Sequence, residues 1–235
     1  MRRQRKSTGI RDDSFTEIGS EWDLSRSGED IFPEFKWKED ELLLNFRLPH
    51  FSTYLLVMRP EMPFDDVKQS SYCYDGVKWA VEQGITGGIS ENRFAPNDPC
   101  TRAQIVTFLW RAAGSPSVQA KENPFKDVSE TDYYYPAVLW AIENGITSGT
   151  GAETFSPNAT CTRAQSAALL YRSKGAAAAG VSDFADVAKD AYYADVVAWA
   201  AEKGITSGTG NGLFSPDAFC TRGQIVTFLY RYVGK

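Results

Sequence analysis

One histidine, His50, serves all 235 residues, and it lies outside the repeats described below. Its scarcity removes Ser–His and Cys–His nucleophile pairs from the rest of the chain. The four cysteines include no CxxC pair and are too sparse for a disulfide framework, so no metal site is expected from them. No apolar run reaches the roughly 18–20 residues of a membrane helix, so no membrane span is expected. Positive charge is not in excess either: 25 Lys and Arg face 30 Asp and Glu, a net charge of −5. That argues against a nucleic-acid partner bound through a global basic footprint. An anionic partner would need a local cluster of positive groups. The basic opening MRRQRKSTGIRDDSF lacks the apolar stretch of a signal peptide, so the chain as written carries no export signal.

What is present is repetition. CTRAQ at Cys100–Gln104 recurs at Cys161–Gln165 and returns as CTRGQ at Cys220–Gln224. Aligning on the arginine gives units at 64–114, 125–175 and 184–235, offset by 61 and then 59 residues. Phe64-x-Asp66-Val67 matches Phe125-x-Asp127-Val128 and Phe184-x-Asp186-Val187. Trp79, Trp140 and Trp199 align, as do the GIT triplets at Gly84, Gly145 and Gly204 and the glycines Gly88, Gly149 and Gly208. Such internal periodicity dictates the architecture.

Each unit reads as helix–loop–helix. The first helix is expected over about Tyr74–Gln83, Pro136–Asn144 and Ala194–Lys203, ended by a glycine suited to a left-handed position. The Gly-, Asn- and Pro-rich stretch that follows predicts a structured turn with room for a short hairpin. Thr-x-x-Gln before an apolar run is a capping box, which assigns helix caps to Thr101/Gln104, Thr162/Gln165 and Thr221/Gln224. The second helix then carries an i, i+3, i+4, i+7 stripe at Ile105, Phe108, Leu109 and Ala112. No unit can bury its stripes alone. Three can do so around a pseudo-threefold axis, or stacked in a line as a solenoid.

Capping accounts for Thr and Gln but leaves Arg102, Arg163 and Arg222 at the first helical position, where the helix dipole repels a cation. Two readings stay open. Each arginine pairs with an acid of its own protein, Asp66, Asp127 or Asp186, or it joins free N–H groups in binding a carboxylate or phosphate. The cysteines read as small buried hydrophobes before the cap. The tryptophans, with Tyr72, Tyr133 and Tyr192, either fill the core or stack on sugar rings. The three loop glycines serve the turn, or let backbone N–H groups approach a ligand.

The pattern FxDV…WA…GIT-x-G…F-x-P…TRAQ, in three ungapped copies over about three-quarters of the chain, resembles the S-layer homology (SLH) family. The resemblance implies a mainly α fold, with three helix–loop–helix repeats set pseudo-threefold around a central helical bundle. It implies a bacterial cell-surface anchor, not an enzyme and without a cofactor, that binds peptidoglycan-linked anionic polysaccharide, often pyruvylated. Grooves between repeats hold the sugar. That carries over to Arg102, Arg163 and Arg222 and to Gly88, Gly149 and Gly208; Trp79, Trp140 and Trp199 join them as candidate glycan-stacking residues. A protein-interaction scaffold of a surface assembly is the alternative. Residues 1–63 have no repeat counterpart, and Glu41–Met58 is apolar enough for one or two strands. This segment reads as the stump of a larger upstream region that held a cargo domain, a mis-called start, or an adapter packing on the first repeat, and its basic opening as a solvated tail.

Overall fold

The computed structural model describes residues 62–119, 122–175, 180 and 182–234, together with the backbone of two strands near the N-terminus. Those strands, β1 (Glu34–Lys38) and β2 (Glu41–Asn45), pair antiparallel with Glu34 opposite Asn45 and Lys38 opposite Glu41. β2 opens the stretch expected to hold strands; the remainder of that stretch, and the basic opening, lie outside the described residues. The hairpin belongs to the unit Met1–Glu61, and the repeats form the unit Met62–Lys235.

The repeats contribute α1 (Tyr74–Glu82), α2 (Arg102–Ala112), α3 (Tyr135–Glu143), α4 (Arg163–Ser173), α5 (Ala194–Glu202) and α6 (Arg222–Val233). The fold of this unit is mainly α, as the sequence pattern implies. α1, α3 and α5 end before Gly84, Gly145 and Gly204, each left-handed with φ of 66–67°, where a Cβ would be penalised. α2, α4 and α6 each open with a complete capping box: Thr101, Thr162 and Thr221 accept from the backbone N–H of Gln104, Gln165 and Gln224, whose side chains bond back to the cap.

Packing closes the repeats into a ring and removes the solenoid alternative. α3 packs on α2 and α5 on α4, so each first helix lies on the second helix of the repeat before it. α1 packs on α6 in the same way, joining the first repeat to the last. α2, α4 and α6 form the inner bundle. At one end of it, three backbone bonds run around the pseudo-axis. Cys161 N–H donates to the Cys100 carbonyl (3.1 Å), Cys220 to Cys161 (2.9 Å) and Cys100 to Cys220 (2.8 Å). All three thiols are free and fully buried, as the hydrophobic reading expects.

The FxDV aspartates hold the loops that face this axis. Asp66 accepts from the N–H groups of Phe94 (2.9 Å) and Ala95 (2.7 Å). Asp127 does the same for Phe155 and Ser156, and Asp186 for Phe214 and Ser215. The second residue of each pair has a positive φ of 58–59° without being glycine, a conformation that needs such support. The FxDV phenylalanines pack on Phe94, Phe155 and Phe214. Short hairpins follow the GIT triplets, with bridges at Ser90–Arg93, Gly151–Thr154 and Gly210–Leu213.

Candidate functional site

The first turn of each inner helix meets the F-x-P loop of the next repeat, and there the arginines lie. The helix N–H groups are not free. Arg102 and Ala103 donate to the carbonyls of Ala159 and Pro157, Arg163 and Ala164 to Ala218 and Pro216, and Arg222 and Gly223 to Asp98 and Pro96. The third N–H goes to the capping threonine. Carbonyls of the neighbouring repeat therefore occupy the place where an anion was expected to meet bare N–H groups.

The guanidinium groups reach past this clasp into the seam between repeats. Arg102 Nε donates to the Phe155 carbonyl (3.0 Å), Arg163 Nε to Phe214 (2.8 Å) and Arg222 Nε to Phe94 (2.8 Å). Each guanidinium also lies over the ring of that phenylalanine, at 5.1, 4.8 and 4.7 Å, within cation–π range. The three arginines are only 8, 2 and 4% exposed. The FxDV aspartates form no ion pair with them: their oxygens bind consecutive loop N–H groups, and Asp66 pairs instead with the exposed Arg93 at 3.8 Å. Burial lowers the pKa of Arg163 and Arg222; Cys220, Tyr72 and Asp186 around the first, and Cys100, Tyr133, Asp98 and Asp66 around the second, counter it. Asp186 is pushed up by burial, but the bonds from Phe214 and Ser215 outweigh this and hold it below the usual carboxylate value.

Each arginine has a thiol of the next repeat beside it: Cys161 by Arg102, Cys220 by Arg163 and Cys100 by Arg222. Burial pushes Cys220 up to about 11. Among the described residues, no three His, Cys, Asp or Glu side chains are placed to hold a metal ion. No described helix is long and apolar enough to cross a membrane.

The other expected site residues have different places. Trp140 and Trp199 are 7 and 3% exposed and belong to the core. Trp79 is half-buried against Tyr230, and Trp199 sits edge-on between Tyr171 and Tyr232. Trp140 and Trp199 thus offer no open face to a sugar; the apolar stripe that buries their helices carries them inward. Gly88, Gly149 and Gly208, with φ of 83–90°, stand under the rings of Phe64, Phe125 and Phe184, and a Cβ would come within 2.6 Å of those rings. Their N–H groups bond to Thr86, Thr147 and Thr206. These glycines are spoken for by the turn. Of the repeated aromatics, Tyr72, Tyr133 and Tyr192 remain open, 58–65% exposed; Phe219, in the third repeat alone, is 58% exposed. Tyr72 lies near Arg163 and Tyr133 near Arg222. The sequence signal for them was present, a tyrosine repeated eight residues after each FxDV aspartate's phenylalanine, but repetition alone does not separate an exposed ring from a core one.

Comparison with known proteins finds the same three repeats. The profile of the S-layer homology domain matches residues 63–106, 124–167 and 183–226, one match per repeat. The chain is 37% identical over 110 residues, 47% of its length, to an endoglucanase of Bacillus sp. (strain KSM-635). It is 32% identical over 121 residues, 51% of its length, to the surface-layer 125 kDa protein of Lysinibacillus sphaericus. It is 30% identical over 130 residues, 53% of its length, to a cellulosome-anchoring protein of Acetivibrio thermocellus. The aligned regions span 11, 10 and 29% of those relatives, so the likeness covers a module of each.

Proposed function

The chain belongs to the S-layer homology domain family, and from that premise we propose that it is a non-catalytic anchor that binds an anionic cell-wall polysaccharide in the seams between its repeats. The observation that carries this reading is three buried guanidinium groups with no described acid bonded to any of them. Removing a charge from water costs several kcal/mol unless it is paired. Carbonyl oxygens and ring faces repay part of that cost, and an anion entering the seam would supply the rest. A carboxylate on a sugar, such as a pyruvate ketal, suits the planar fork of arginine. Tyr72, Tyr133 and Tyr192 stand exposed, the first two near Arg163 and Arg222, and offer flat faces to a sugar ring.

A cell-surface place is supported by the name of the surface-layer relative and an anchoring role by that of the cellulosome-anchoring relative, whereas the endoglucanase carries such a module in a protein named for an activity. The place of action is accordingly the cell surface, and the partner a peptidoglycan-linked polymer. The test is sedimentation of the full chain with cell-wall sacculi, before and after mild acid removes the attached polysaccharide. We expect binding that disappears on stripping and weakens as salt is added. Equal binding to stripped and intact walls, or none to either, would replace the glycan anchor with a protein-interaction scaffold.

A further inference from the structure

The three seams share one pattern, yet their arginines are not held alike. Arg163 has two rings within cation–π range, Phe214 at 4.8 Å and Phe228 at 5.5 Å. Arg222 has Phe94 at 4.7 Å and Phe108 at 5.6 Å. Arg102 has Phe155 on one face, but the position matching Phe108 and Phe228 is Leu169. The consequence shows in the terminal nitrogens. Arg102 Nη2 donates to Thr147 Oγ1 at 3.2 Å. The matching threonines, Thr86 and Thr206, accept from Gly88 and Gly208 and receive no bond from Arg222 or Arg163. Nη2 of Arg163 and of Arg222 is buried without any hydrogen-bond partner.

Resting on the anchor reading above, we infer that only the seams of Arg163 and Arg222 are carboxylate-binding sites, and that the residue at 108, 169 or 228 decides which seams are. The second ring holds the guanidinium in place and keeps Nη2 from its threonine. The unmet N–H groups then wait, already desolvated, for a carboxylate oxygen. A carboxylate entering there gains a charge-assisted bond and gives up no internal one. At the Arg102 seam, the leucine leaves one face without a ring and the guanidinium closes on Thr147. A carboxylate would have to break that bond first. Arg102 therefore serves the ring as a clamp between the first and second repeats.

The experiment is isothermal titration calorimetry of the full chain with a methyl hexopyranoside bearing a 4,6-linked pyruvate ketal. The same glycoside without the ketal is the control. The expected result is two sites per chain for the ketal and none for the control. Phe228→Leu and Phe108→Leu should each remove one site, because each gives its seam the leucine of the Arg102 seam. Folding of each variant is checked by its thermal transition, and where a leucine variant fails to fold, Leu169→Phe, which should add a third site, carries the test. Three equivalent sites in the wild type, or a folded Phe228→Leu chain that keeps both sites, would overturn the inference. Absence of any ketal-dependent heat would remove the carboxylate reading itself, and this inference with it.

Discussion

The seam that closes the ring and the seam between the second and third repeats reach the same topology by opposite means. Where α1 meets α6, the outer helix gives way. A Cβ on Gly76 would come within 3.2–3.3 Å of the Thr227 backbone and the Val226 carbonyl. Where α5 meets α4, the inner helix gives way: Ala164, Ala167 and Ala168 face Val196 and Val197. The matching pairs are Gly76 with Thr227, Ala137 with Thr107, and Val196 with Ala168. Bulk has moved between the partners while the seam stays filled, as a close-packed interior demands. The closing seam is also the one with no linker across it. It adds two features the others lack: Gly223 in place of Ala103 and Ala164, and Cys73 in place of Tyr134 and Tyr193. Tyr133 and Tyr192 are braced edge-on by Tyr134 and Tyr193. Tyr72, without such a neighbour, instead bonds to Thr221 (3.2 Å) across the seam.

The strongest way to break this comparison is Gly76→Val, which puts the bulk of Val196 opposite Thr227 instead of opposite Ala168. We expect a loss of about 3 kcal/mol in urea unfolding, from overpacking against backbone that cannot move aside. Thr227→Ala in the same chain should return part of it, and a double-mutant cycle should show a favourable coupling. Full additivity of the two changes would mean that the volumes of the helices are not exchanged.

Gly223→Ala is gentler. The new methyl would meet the Tyr72 hydroxyl at 2.7 Å, the Pro96 carbonyl at 2.9 Å and the Cys73 thiol at 3.2 Å. The tyrosine can swing outward, the carbonyl cannot, and better helix propensity offsets up to about 1 kcal/mol. A net loss of about 1 kcal/mol is expected, together with loss of the Tyr72–Thr221 bond, visible as a change in tyrosine fluorescence. A stabilised variant would show that the closing seam has slack.

The smallest effects come from protons. Cys220 is raised from 9.0 to about 11 by burial, so the folded chain holds its proton where the unfolded chain releases it. Its share of stability is full below pH 9 and is lost as pH rises towards 11. Asp186 works in the other direction: its depressed pKa gives stability that is present above 3.8 and is lost as pH falls through the lower folded value. Unfolding free energy against pH should therefore decline at both ends. All four thiols should resist an aromatic disulfide reagent at pH 8 until the chain unfolds. Rapid reaction of the folded protein would contradict the packed axis.

The sequence revealed local structure far better than it revealed partners. The left-handed glycines and the three capping boxes follow from residue order within a single turn, and the expected helices agree with the observed ones to within a residue. The partners of the arginines do not follow from that order. Arg222 bonds to a carbonyl 128 positions away, and the aspartate that looked suited to it is bound by two consecutive loop N–H groups, a use invisible without the fold. Repetition marked Trp140 and Trp199 as equivalent positions, but equivalence does not say whether water or another helix covers them. The contrast between Phe108 or Phe228 and Leu169 was legible all along. Its meaning required knowing that these side chains lie over the arginine of the preceding repeat.

The ring also has a history in time. The chain is made from the N-terminus, so α1 is among the first helices to emerge, yet its packing partner α6 is the last. Every other outer helix finds its inner helix already made. Until the final turn of α6 is released, the first repeat waits with its apolar face uncovered and the central trio of bonds incomplete. Closure is thus a terminal, long-range event of the kind that slows folding. Synthesis leaves the nascent repeats open for longest at the seam that joins the first to the third.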